Sequence, residues 1–179
     1  MGVNAIAALW GFAEATLFFI VPDVWLTVIA VWSPRKASMA CLFALLGALA
    51  GGALMYGWGY MAPGMALTTL ERILGIHPDM LLAVAAELRE YGLLAPFWGP
   101  IQGIPYKIYA VQAPALGIGC GAFLLVSIPA RLLRFALLTL MAGLLCHTLL
   151  ARWTPRQQIA FLGGIWGAFY TWYFVSMPH

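Results

Sequence analysis

The sequence predicts an all-α membrane protein, a polytopic helical bundle with two opposed re-entrant helical hairpins arranged as an inverted repeat. Three observations lead there. Of the 179 residues, 64% are hydrophobic and only 8% charged, against about 25% charged in soluble domains. Two long apolar stretches, 3–33 and 93–128, are interrupted by prolines and carry ionisable side chains, which lipid does not tolerate on a simple span. Each is followed by an uninterrupted apolar stretch, so the order interrupted-then-full occurs twice, the second time from the opposite side, as in inverted-repeat transporters.

No polar region is long enough to fold separately, so a single transmembrane domain, 1–179, is expected. The net charge of +3 is small and scattered, which argues against nucleic acid as a partner. The N-terminus lacks a basic n-region and its apolar run continues past any cleavage point, so it reads as retained structure. Cys41, Cys120 and Cys146 are isolated in apolar surroundings and read as small buried hydrophobes.

In chain order, residues 3–20 predict a first apolar helix broken at Val21-Pro22-Asp23. The piece Val24–Trp32 that follows is about half the length needed to cross, so 3–33 reads as hairpin 1. Ser33-Pro34-Arg35-Lys36 reads as a basic turn. Residues 37–61 predict a full span whose clustered glycines (Gly47, Gly51, Gly52, Gly57, Gly59) suit close helix approach. Residues 62–92 are a polar loop holding one amphipathic helix, with Pro78 in its first turn and Gly92 as its stop. Leu81, Val84, Leu88 and Tyr91 share its apolar face, which suits a helix lying on the membrane surface.

The second interrupted segment, 93–128, contains Pro96, Pro100, Pro105 and Pro114, with Lys107 just after a proline as Asp23 follows Pro22. Pro129 is then expected to open a span over 129–150 with Arg131 and Arg134 in its first turns. A last aromatic-rich span covers 156–176. With both interrupted segments re-entrant, Arg35, Lys36, Arg152 and Arg156 share one side with no acid. The 62–92 loop sets Arg72 and Arg89 against Glu71, Asp79, Glu87 and Glu90. The positive-inside rule then puts the N-terminus in the cytoplasm.

The intramembrane charges are the candidate site. Glu14 falls about 16 Å into its helix, near the bilayer centre, and burial favours its neutral form, so it is the proton-carrier candidate. Asp23, at the break, pairs with Lys107 or with an arginine. Arg131 and Arg134, three apart, share a face at a helix N-terminus that favours anions, and the guanidinium fork suits phosphate oxygens. Snorkelling to the interface is the alternative for both arginines and for Lys107. His77, His147 and His179 lack ligand spacing, so neither a metal nor a cofactor is expected. No Ser/His/Asp or Cys/His set indicates catalysis.

Glu14…Pro22-Asp23, GALAGGALMYGWGY (47–60), GPIQGIPYKIYAVQA (99–113) and ARLLRFALLTLMAG (130–143), in that order, resemble the DedA superfamily, also called the SNARE-associated or VTT-domain family. The GIPYK and RxxRF elements look nearest its YqaA-like branch. The resemblance covers about residues 10–145. It implies a lipid transporter, flippase or scramblase, of a bacterial inner membrane, moving polyprenyl-phosphate carriers or phospholipids between leaflets, with proton coupling in some members. It also implies Glu14 and Asp23 as coupling residues, and Arg131, Arg134, Lys107 and Tyr106 of the GIPYK element as substrate-binding residues. The partners expected are membrane lipids, a phosphate-bearing lipid as substrate, with a homo-oligomer left open. This chain departs from the family where lysine stands at a position often held by arginine, and where the two acids lie closer together. A small-ion or solute transporter, and a scaffold with its charges locked as structural pairs, are the alternatives.

Overall fold

The structure, a computed structural model, describes residues 2–73 and 75–176; His179 lies outside the described residues. Among these, all regular structure is helical. The main helices are α1 (Val3–Ala15), α2 (Asp23–Trp32), α3 (Pro34–Met61), α4 (Pro63–Leu70), α5 (Pro78–Tyr91), α6 (Ala95–Gln102), α7 (Tyr106–Gln112), α8 (Cys120–Leu144) and α9 (Pro155–Ser176). A π-helical turn, Leu145–Leu149, extends α8. Among the described residues, three helices are long and apolar enough to cross a membrane: Pro34–Met61, Cys120–Leu149 and Pro155–Ser176. With 13 and 10 residues, α1 and α2 reach about 20 and 15 Å, short of a hydrocarbon core of about 30 Å.

The central helix is α3, and its glycines explain why. A Cβ on Gly47 would overlap the backbone of Ala8, and one on Gly51 would press on Phe12. Partner numbers rise together, so α1 runs parallel to α3, its backbone seated in the groove these residues leave. Since α2 joins two parallel helices, segment 3–33 runs out and back beside the first part of α3. Farther along, Gly52 faces the Tyr106 ring and Gly59 the Val111 backbone, so α7 is also parallel to α3. In the opposite sense, Cys41 meets Thr139 at 3.4 Å and Tyr56 donates to the Ile118 carbonyl at 2.8 Å. Helix α8 therefore returns antiparallel.

Several boundaries differ from expectation. Helix α1 stops at Ala15 and not at residue 20: the Thr16 and Phe18 N–H groups both turn onto the Ala13 carbonyl (3.1 and 2.9 Å), and the Thr16 hydroxyl also bonds the Phe12 and Ala13 carbonyls (3.0 and 2.9 Å). The break thus spans 16–22. Arg35 and Lys36 form no separate turn: Ser33 accepts from the Lys36 N–H at 3.4 Å and Pro34 occupies the first turn, so α3 begins there.

The largest correction concerns Pro129. It does not open a helix; α8 begins at Cys120 and Pro129 lies inside it. Proline removes one ladder hydrogen bond, a local loss, whereas continuing the helix buries Phe123, Ser127, Ala130, Arg131 and Phe135 on one side. Segment 93–128 is correspondingly shorter: α6 and α7 pair tightly, Gly99 against Tyr109, around a turn where Gly103 adopts φ +76°.

Helix α5 has the predicted ends, with Pro78 in its first turn and Gly92 after its last residue. Its apolar face is placed differently. Leu81, Val84 and Leu88 are buried in the same cluster as Tyr106, Ile108 and Val111, and Tyr91 is exposed. The stripe packs on protein because α6 and α7 are within reach to cover it, not spread on a membrane surface.

Candidate functional site

All six residues singled out by the sequence come together around α8. Helix α1 delivers Glu14 from its penultimate position, α2 delivers Asp23 from its first, α7 supplies Tyr106 and Lys107, and α8 supplies Arg131 and Arg134. Exposure separates burial from snorkelling: Asp23 is 0%, Lys107 2%, Glu14 4% and Arg131 4% accessible. Neither Lys107 nor Arg131 reaches outward, so the interfacial-anchor alternative fails for both.

The pairing is Arg131 with Glu14 and Arg134 with Asp23. Arg134 engages one carboxylate oxygen of Asp23 through Nε at 3.1 Å and also through its terminal nitrogen. Spacing of three residues aims both guanidiniums to one side of α8, where α1 and α2 present the two acids. Asp23 thus takes an arginine, one of the partners foreseen. Glu14 does not stand alone: a residue 117 positions away neutralises it, a proximity that sequence distance conceals.

Lys107 meets neither acid directly. Its Nζ donates to the carbonyl of Phe18 at 2.6 Å, inside the 16–22 break. The turn after α1 leaves carbonyls without helical partners, and a cation there complements the negative helix end. This bond ties the α6–α7 segment to the α1–α2 break, so the two interrupted segments meet at the charges.

Aromatic rings form the walls. The Arg131 guanidinium lies 4.5 Å from the Tyr106 ring centroid and 5.2 Å from that of Phe135, which also lies 5.7 Å from Arg134. Tyr106 stacks on Phe123 at 5.5 Å and donates to the Ser127 hydroxyl at 2.9 Å; Ser127 in turn donates to the Phe123 carbonyl at 2.8 Å. The Tyr106 hydroxyl fits because Gly52 has no side chain. Sequence reasoning missed Phe135 and Ser127. Their signal was periodicity: Ser127, Arg131 and Phe135 recur every four residues on one face.

The cluster sets three cations against two carboxylates. One oxygen of Asp23 and the Nε of Arg131 are buried without a hydrogen-bond partner. A cavity of about 10 Å³, lined by Pro96, Ile104, Tyr106, Tyr109, Arg131, Arg134 and Phe135, adjoins the arginines; it has room for about one water. Chemically the arrangement can hold an anion, or exchange carboxylates for one, but it has no nucleophile–base pair.

An uncharacterized protein of Haemophilus influenzae is similar to this chain, with 26% identity over 132 residues that cover 74% of this chain and 68% of that protein. No family model matches. No solved structure matches either.

Proposed function

We propose that this chain is a lipid transporter, a flippase or scramblase that moves a phosphate-bearing lipid such as a polyprenyl phosphate or phospholipid between leaflets. The observation that carries the reading is the cluster of Glu14, Asp23, Lys107, Arg131 and Arg134, buried where two broken segments meet. Its cations outnumber its acids, and an uncompensated positive charge in a low-dielectric site attracts an anion. Arginine is suited to phosphate because its planar donors match two oxygens at once.

The layout supports re-entrant hairpins in an inverted repeat. Segment 3–33 is too short in each half to cross, and α1 runs with α3; α6 and α7, with 8 and 7 residues, are shorter still. The hairpins are then opposed, and their broken segments meet at the buried charges, as in transporter sites. The basic residues of 33–36 and 152–156 support an N-terminus in the cytoplasm, and the resemblance of the sequence to the DedA superfamily supports a bacterial inner membrane.

In this mechanism Glu14 and Asp23 hold the guanidiniums while no lipid is bound. A phosphate reaching the cluster takes over one or both arginines, and the displaced acid takes a proton or turns to Lys107. A cavity of about 10 Å³ is far too small for a phosphate, so this is a closed state and the hairpins must separate to load.

The test is movement of head-group-labelled lipids in vesicles containing the purified chain. Movement of phosphate-bearing lipids, with neutral lipids slower and Arg134→Gln inactive but folded, is the expected result. A chain that moves no phosphate-bearing lipid at any pH refutes the reading and favours a scaffold, a reading supported by the pairing of both acids. Movement independent of a pH gradient assigns scrambling; dependence on the gradient assigns coupled transport.

A further inference from the structure

Beyond the ion pairs, one polar contact joins the arginine cavity to the polar 62–92 segment. Tyr109 follows Tyr106 by one turn of α7, is 1% accessible, and forms part of the cavity wall with Arg131 and Arg134. Its ring lies directly on Gly99 of α6, where a Cβ would collide with it. Its hydroxyl donates to a carboxylate oxygen of half-buried Glu87 on α5, at 2.5 Å. One turn farther, the Gln112 amide donates to the Leu81 carbonyl at 2.9 Å. Helix α5 is thus pinned to α7 at two points, and Tyr109 stands between the cavity and α5.

We infer that Tyr109 and Glu87 form a latch that closes the arginine cavity toward the 62–92 segment. The other charged and aromatic cavity walls are anchored elsewhere: the arginines by their carboxylates, Tyr106 by Ser127 and Phe123, Phe135 by burial in a second apolar cluster. Of these walls, Tyr109 is the one held by a side chain of α5, the amphipathic helix of the polar 62–92 segment. A tyrosine hydroxyl bonded to a carboxylate is among the stronger single hydrogen bonds available, and Glu87 reaches solvent, so release hydrates the carboxylate at once. With the bond open, Tyr109 can swing off Gly99 and connect the cavity to the polar side. The function of this latch does not depend on what the cavity carries.

The latch is tested by thiol accessibility in vesicles, with Cys41, Cys120 and Cys146 replaced by alanine and Ile104→Cys placed in the cavity wall. A membrane-impermeant maleimide added on the side of the 62–92 segment should react slowly with this parent. Tyr109→Phe, which keeps the ring, and Glu87→Ala, on a partly exposed face, should each raise the rate at least about tenfold. Glu90→Gln, exposed on the same helix, should leave it unchanged. Equal rates in parent and both latch variants overturn the inference. So does a rise that is the same from both sides of the membrane, which would mean general loosening. Because the readout is labelling, a chain that moves no lipid could still have the latch, and a lipid transporter could lack it.

Discussion

Replacing Glu14 by Gln removes the counter-charge of an arginine that is 4% accessible while keeping the side-chain shape. Breaking one side of a buried ion pair costs about 3–5 kcal/mol, because the remaining charge stays desolvated. For a chain of this length that corresponds to a fall in Tm of about 6–20 °C. Arg131→Met should cost a similar amount, leaving Glu14 stranded and removing the guanidinium from the Tyr106 face. Combining Arg131→Met with Glu14→Leu replaces the pair by apolar groups and should recover most of the loss. Thermal unfolding of the parent, Glu14→Leu, Arg131→Met and the double variant in one detergent measures the cycle, with Glu14→Gln and vesicle assays of lipid movement run beside it. Additive single losses, or singles within about 0.5 kcal/mol of the parent, would refute the buried pair. A double variant stable but inactive in lipid movement marks the pair as functional; one stable and fully active marks it as structural.

Three further outcomes follow from the packing and the charge count. Gly59→Leu should abolish folded yield, since its Cβ meets the Val111 backbone, whereas Gly57→Ala, with nothing within 4 Å, should stabilise α3 by about 0.5–1 kcal/mol; Tm in detergent separates them. Lys107→Met removes the donor to Phe18 and the excess cation, so stability should fall by about 1–3 kcal/mol and retention of phosphate-bearing lipid should drop, read by mass spectrometry of co-purified lipid. Cysteines introduced at Lys36 and at Glu90, in a background without the native cysteines, should react with impermeant reagents from opposite sides of the membrane; labelling from the same side would remove the hairpin topology.

Much of this architecture was legible in the sequence because hydrocarbon imposes local rules. Composition and apolar run length located the regions of α3, α8 and α9, and α9 begins within one residue of the expected 156. The cost of intramembrane charge singled out Glu14, Asp23, Lys107, Arg131 and Arg134, and the structure gathers all five. Proline was the less reliable guide. Pro22 does lie at a break, yet Pro129 is absorbed within α8, because a helix with enough neighbours survives one missing donor. The end of α1 was misplaced because the chain leaves the helix at Thr16, six residues before the proline, with the Thr16 and Phe18 N–H groups turned onto the Ala13 carbonyl.

The amino-acid sequence alone determined that the chain is helical with runs long and apolar enough to cross a membrane, that two of its apolar stretches are interrupted, and which side chains are too costly to be incidental. These follow from properties each segment has by itself: hydropathy, length, and the backbone's need for partners in lipid. Tertiary structure decided which acid meets which arginine, that Lys107 caps the break after α1, and that the α3 glycines seat α1 on one side and α7 on the other. Such pairings depend on the direction in which helices run and on how closely their backbones approach. Residues 117 positions apart become partners only once Gly47, Gly51 and Gly59 let the short helices close on α3.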